Sequence, residues 1–181
     1  MTPDYIWRKL GSESILRTPY YSIQRDRLRH PRGHELDYYV IEHLRQAVGV
    51  VPVRGAPPGS VEVLLVQQWR HPVQKLAWAI PAGAIESGEA PDVAARRELR
   101  EEAGCTAAEV EPLYQYHPSI GISNQTFHLF VAGGIEGPAV ADDNEIHAVR
   151  WFSRGEVEAM LARNEIVDGM SLVALLMWLR K

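Results

Sequence analysis

Between residues 46 and 80 the chain passes through three apolar stretches, each too short for an ordinary helix. Gln46 to Val53 and Val61 to Gln68 are nearly continuous apolar runs, the pattern of strands buried on both faces. The Pro/Gly-rich stretch Arg54 to Ser60 between them reads as a loop, and Leu76 to Ile80 predicts a shorter third strand. Upstream, Ile15-Leu16, Tyr20 to Leu28 and Leu36 to Glu42 read as strands, with His30-Pro31-Arg32-Gly33 as a hairpin turn. An isolated meander of that size is marginal in water, so it must lie on its own domain or on a second subunit. Downstream, Val110 to Gln115, Thr126 to Val131 and Ile146 to Phe152 predict three further strands. The turn-rich segment His117 to Asn124 is a candidate site loop.

The helical period shows at three places. Pro91 suits a first helical position, and the pattern runs to Ala103 before Gly104 permits a left-handed exit. Ser153 with Glu156 has the spacing of a capping box opening a helix to about Asn164, and Met170 to Leu179 predicts an apolar closing helix. On a 3.6-residue period Glu98, Glu101 and Glu102 share one face of the first helix with Ala94. Ala95, Leu99 and Ala103 form a neighbouring packed stripe. Three carboxylates on one turn repel unless cations neutralise them, and such hard oxygen ligands suit Mg²⁺ or Mn²⁺. A solvated, salt-bridged surface is the alternative reading of the same glutamates.

With 181 residues and 46 % hydrophobic content the chain can bury a real core. The net charge of −4 offers no basic footprint, so nucleic acid is not expected as a partner. The single cysteine, Cys105, excludes an intrachain disulfide framework and points to a reducing, cytoplasmic setting. No apolar run reaches the length of a membrane span, and the N-terminus lacks a signal-peptide core. An anionic substrate therefore needs metal ions or local arginines.

The stretch from Gly83 through Glu89 to Arg97-Glu98-Leu99-Arg100-Glu101-Glu102-Ala103-Gly104-Cys105 resembles the Nudix box of the Nudix hydrolase family. Gln68-Trp69-Arg70-His71-Pro72, Pro81-Ala82-Gly83, Pro118, and an acidic loop before a Trp-containing strand resemble its branch of ADP-ribose and nucleoside-diphosphate-sugar pyrophosphatases. The resemblance implies an α/β/α sandwich with a mixed sheet over residues 46–181. It also implies a small N-terminal antiparallel β segment over 1–45 that dimerises the chain. The implied reaction is hydrolysis of a nucleoside diphosphate linked to another moiety, with Mg²⁺ or Mn²⁺ activating the attacking water.

Carried over by position, Glu98 and Glu102 match metal-binding glutamates, Glu101 a further ligand or helper, and the Ala82 carbonyl another ligand. Arg97 matches a residue that orients the glutamate ligand, and Glu89 one that fixes the turn behind it. Glu145 matches the general base, with Asp142 and Asp143 as competitors. Arg70 matches a phosphate contact, and Trp69, as a candidate for stacking on a base, Gly83 and Pro118 are the other expected substrate-binding residues. Trp78, Tyr20 and Tyr21 are further candidates for stacking on a base, while His71, His117 and His128 show no metal-ligand spacing. Two departures fall where substrate should bind: Ala79 replaces a glutamate two residues before Pro-Ala-Gly, and Ser119 to Gln125 is not the usual Gly-Ser/Thr-acidic loop. Another sugar nucleotide, such as GDP-mannose, thus stands beside ADP-ribose. A nucleoside triphosphate sanitising hydrolase and a non-catalytic Nudix-fold binding module are the remaining alternatives.

Overall fold

The computed structural model describes residues 5–55, 60–141 and 145–180. The described chain divides into two compact units, one of residues 5–46 with 117–125, the other of 47–116 with 126–180. In the smaller unit β1 (Arg8–Arg17), β2 (Tyr21–Arg29) and β3 (Glu35–His43) form an antiparallel sheet in sequence order. The β2–β3 turn closes at Gly33, whose φ of 96° is open to glycine without steric cost. Segment 117–125 joins this unit through backbone bonds: Ile41 N–H donates to the Ile122 carbonyl at 2.7 Å, and Asn124 N–H to that of Ile41 at 3.4 Å.

The larger unit is built on a mixed sheet of β4 (Ala47–Arg54), β5 (Glu62–Arg70), β6 (Lys75–Ala79), β7 (Ala82–Ala84), β8 (Thr106–Tyr116), β9 (Phe127–Glu136) and β10 (Ile146–Ser153). The order is β10-β5-β4-β9-β8, with β4 and β9 parallel and the other pairs antiparallel. The two central strands are apolar on both sides, as their sequence predicts. Val48, Val50, Leu64 and Val66 bury against Ala94, Ala95, Leu99 and Ala103 of α1 (Pro91–Ala103). The alternate residues Val51, Val63 and Leu65 bury against Val157 and Met160 of α2 (Arg154–Ala162) and Ala174, Leu175 and Trp178 of α3 (Gly169–Leu179). That is an α/β/α sandwich.

The sheet is forked, and the fork positions the site. β4 and β5 pair directly at one end, through Val53↔Val63 and Arg54↔Glu62. At the other end β6 lies on β5, from Val66↔Ala79 to Arg70↔Lys75, while β7 lies on β4, from Ala47↔Ala84 to Gly49↔Ala82. Ile80 and Pro81 carry the chain from one prong to the other. Ser171 Oγ accepts the Ile80 N–H at 3.0 Å, and Val50 N–H donates to the Pro81 carbonyl at 3.0 Å.

Helix boundaries agree with their local chemistry. α1 opens with proline in its first turn and ends at Gly104, φ 61°. α2 carries the reciprocal Ser153–Glu156 capping box, and Asp168 caps α3 through Ser171 N–H. The strands differ more from expectation. β1 begins at Arg8 rather than near Ile15, because every residue in it is exposed and no burial imposes a hydrophobic alternation. β7 has only three small residues, too few for any period. The loop expected over Arg54 to Ser60 lies largely outside the described residues.

Two glycines with positive φ separate backbone strain from packing. A Cβ at Gly88 (φ 79°) meets open space, whereas one at Gly104 falls onto the backbone carbonyl of Val140. Gly88→Ala should cost about 1–2 kcal/mol for the left-handed conformation alone. Gly104→Ala should cost clearly more, since a backbone atom must also move. Urea denaturation of both variants measures the difference, and equal costs would contradict it.

Candidate active site

Helix α1 lays its acidic face over the prong made by β7. Glu98 and Glu102 are both buried, at 7 % exposure each, whereas the side chain of Glu101 remains 51 % exposed. The three carboxylates therefore do not share one environment. Two face the sheet, and Glu101 stands at the solvent rim one turn along.

Arg97 holds this group together. Its Nε and Nη2 donate to the two oxygens of Glu89 at 2.9 Å each, a bidentate fork. Nη2 also donates to the Ala84 carbonyl at 2.9 Å, and Nη1 donates to Glu98 Oε1 at 2.7 Å and Glu101 Oε2 at 3.1 Å. All five N–H groups of the guanidinium have a partner. Glu89 in turn accepts the Glu86 N–H at 3.0 Å, which closes the turn before the helix. The hydrogen bonds from Arg97 hold the Glu89 carboxyl down to about 2, and the same pairing raises Arg97 above its ordinary value.

Glu102 is held differently. Its Oε2 accepts the Ala82 N–H of β7 at 2.8 Å, and its Oε1 accepts Gln68 Nε2 of β5 at 2.6 Å. One carboxylate thus bridges both prongs of the fork. Burial pushes its carboxyl up to about 7, against the pull of these two donors and of the nearby Arg70 charge. Burial raises Glu98 as well, opposed by Arg97. Gly83 makes room for this arrangement, because a Cβ there would fall onto the Glu98 carboxylate.

The donor set fits a hard divalent cation. Two buried carboxylates are lifted by desolvation, a third stands at the rim, and Gln68 Oε1 is buried with no hydrogen-bond partner among the described residues. No three His, Cys, Asp or Glu side chains among the described residues converge into a ready-made cage. Mg²⁺ does not require one, since it keeps several waters and binds through one or two carboxylates plus substrate phosphates.

The remaining candidates are distributed around this centre. Ala82 enters the cluster by its N–H. Arg70, half-buried at the end of β5, acts on Glu102 through its charge, while Trp69 beside it is 56 % exposed. Glu145 is exposed immediately before β10, whose first residue Ile146 pairs with Gln68. Asp142 and Asp143 lie outside the described residues. Pro118 is an exposed residue of the smaller unit. Trp78 packs edge-on against Phe152 at 4.9 Å, a core role, and Tyr21 lies tilted on His43. Gln68 stands in the motif Gln68-Trp69-Arg70-His71-Pro72 but was given no role of its own, because a glutamine at a strand end carries no local signal of what it touches.

Fold and site together define an α/β/α sandwich with a carboxylate-bearing helix over a forked mixed sheet. Residues 43–170 match the NUDIX domain, and residues 7–41 match the nucleoside diphosphate sugar hydrolase N-terminal domain. The chain belongs to the Nudix hydrolase family. It is 27 % identical over 177 residues to an ADP-ribose pyrophosphatase of Mycobacterium tuberculosis, covering 96 % of this chain and 83 % of that protein. It is 28 % identical over 170 residues to a methanol dehydrogenase activator of Bacillus methanolicus, covering 92 % and 89 %. A crystal structure of an ADP compounds hydrolase superposes with a TM-score of 0.81 at 19 % identity, covering 96 % of this chain and 94 % of that one, and so shares the fold.

The buried carboxylates set a pH dependence of stability. Because Glu102 titrates near 7 when folded, against 4.5 ordinarily, the folded chain keeps a proton that the unfolded chain loses between those values. Stability in the presence of a chelator should therefore fall as pH rises from about 4.5 to 7, by on the order of 2–4 kcal/mol. Glu89 acts oppositely and at lower pH, its contribution being lost as pH falls below 4.5 toward 2. In Glu102→Gln the loss between pH 5 and 7 should shrink to the part due to Glu98. Urea titrations with EDTA at several pH values test this, and an unchanged slope in the variant would refute the assignment.

Proposed function

We propose that this enzyme hydrolyses the diphosphate bond of ADP-ribose or a related nucleoside diphosphate sugar, giving a nucleoside monophosphate and a sugar phosphate. The observation that carries the reading is the buried Glu98–Glu102 pair, held in place by Arg97, Gln68 and the Ala82 N–H. The matches along both segments of the chain support the substrate class. When bound, Mg²⁺ or Mn²⁺ would supply charge neutralisation of the phosphoryl oxygens and a lowered pKa for the attacking water.

The protein's own residues divide the remaining work. Glu98 and Glu102, with Glu101 at the rim, would hold the cation. Arg97 orients Glu98 and leaves its second oxygen free of that guanidinium. Arg70 would take a phosphate oxygen, for which a guanidinium fork is suited. Water adds to phosphorus as the bridging P–O bond breaks, and Glu145 is our candidate to accept its proton. A nucleoside triphosphate hydrolase is disfavoured by the extra N-terminal strands, and a binding module by a box that retains every charged position. The single cysteine, buried at position 105, supports a reducing, cytoplasmic setting. No helix among the described residues is long and apolar enough to cross a membrane.

The N-terminal strands we assign to homodimerisation. Their support is an edge strand, β1, exposed along its whole length and carrying Leu10, Ile15 and Leu16 at 37, 50 and 45 % exposure. An unpaired apolar edge is a liability that a partner removes.

Glu98→Gln and Glu102→Gln should each reduce hydrolysis by two or more orders of magnitude, on the scale of losing a principal electrostatic group. The assay is chromatographic separation of the nucleotide products formed from ADP-ribose, sugar nucleotides, dinucleoside polyphosphates and nucleoside triphosphates with Mg²⁺ or Mn²⁺. Turnover of triphosphates alone would overturn the substrate class, and unchanged rates in both variants would overturn the site. Light scattering should give twice the chain mass of 20.4 kDa. Leu16→Arg should shift that mass toward one chain, and a monomeric parent protein would exclude the dimer.

A further inference from the structure

Glu98 and Glu102 are buried to the same extent, yet the chain restrains them by different chemistry. Glu98 is bound by a cation, the guanidinium of Arg97. Glu102 is bound by two neutral donors, one from each prong of the fork: Ala82 N–H on β7 and Gln68 Nε2 on β5. Gln68 is itself 4 % exposed and makes no other side-chain hydrogen bond among the described residues. Its amide carbonyl cannot face an anionic carboxylate, so the NH₂ must, and Oε1 is left buried without a partner among the described residues.

An unsatisfied buried acceptor is a standing cost that Met or Leu at this position would avoid. The amide's donor group acts on Glu102. A lysine or arginine here would hold the carboxylate as firmly but would cancel its charge. A glutamate would repel it, and an aliphatic residue would leave Oε1 of Glu102 without its donor. Glutamine holds Oε1 while the Ala82 N–H holds Oε2, so the carboxylate is oriented without a positive charge being added by this side chain.

We propose that Gln68 is a positioning residue for metal capture, an uncharged clamp that locks the Glu102 carboxylate across the fork for a divalent cation. The inference rests on Glu102 being a cation ligand, and it adds a residue outside the box to the machinery. It also gives the end of β5 a function: the same three residues that carry Arg70 toward substrate set the ligand's orientation through Gln68. The partner of a metal-ligating group typically contributes 10- to 100-fold in affinity, that is, about one to two orders of magnitude.

The test is Mn²⁺ binding to the full-length protein, followed by the loss of the free-ion paramagnetic signal, for the parent, Gln68→Met, Gln68→Asn and Glu102→Gln. Gln68→Met keeps the volume and removes the donor, while Gln68→Asn keeps an amide but draws it back by one methylene. Both should weaken Mn²⁺ binding about 10- to 100-fold, with kcat falling when Mn²⁺ is limiting and recovering as Mn²⁺ is raised. The thermal midpoint of chelator-treated Gln68→Met should stay near the parent value, since the orphan acceptor that leaves with the amide offsets the donor that Glu102 Oε1 loses. A folded Gln68 variant that binds Mn²⁺ as the parent does would overturn the proposal, as would failure of both variants to fold, which would mark a structural role. If Glu102→Gln itself binds Mn²⁺ as the parent does, the ligand assignment fails, and this inference with it.

Discussion

The structure around the site depends on the repulsion among four carboxylates and on the single guanidinium set among them. Glu89, Glu98, Glu101 and Glu102 occupy one glycine turn and little more than one helical turn, with two of them buried. Arg97 spends all five of its donors there, on three of these carboxylates and the Ala84 carbonyl. Its position on the helix is decisive, because one residue before Glu98 it can reach back to Glu89 and across to β7 at once. The pairing leaves the cluster net negative and oriented, and a compensated cluster would have no reason to bind a cation.

The forked sheet is the second constraint. A continuous pairing of β4 and β5 would leave no gap beneath α1. Inserting β6 and β7 between them opens the sheet at the end where Glu102 lies, and the short crossing at Ile80-Pro81 is pinned by Ser171 and Val50. Glu102 then recloses the opening through Gln68 and Ala82. Carboxylate geometry and sheet geometry are thus coupled, which gives a buried, partly desolvated group a structural reason to stay in place.

Much of the site could be read locally because its determinants are local. The helix limits at Pro91 and Gly104, the Ser153–Glu156 cap and the apolar runs of β4 and β5 follow from near-neighbour sterics and burial. The pairing of Arg97 with Glu98 and Glu101 lies within helical reach. Periodicity overstated the likeness of the three glutamates, however. It placed Glu101 with Glu98 and Glu102, but where the sheet ends beneath the helix decides which of them is covered. β1 was legible only in part, since an exposed strand has no buried face to pattern it, and β7 is too short to have a period.

The sequence by itself determined the box: the spacing that puts carboxylates on one helix face, the arginine among them and the glycine that lets Glu98 approach β7. These depend on residues within about twenty positions of one another and on backbone geometry that varies little. Only the tertiary structure decided the rest. It buried Glu102 and raised its carboxyl to about 7, brought Gln68 to it from 34 residues away, and put Glu145 one residue before the strand position opposite Gln68. Desolvation and strand register are properties of the assembled sheet, and no short stretch of chain encodes them.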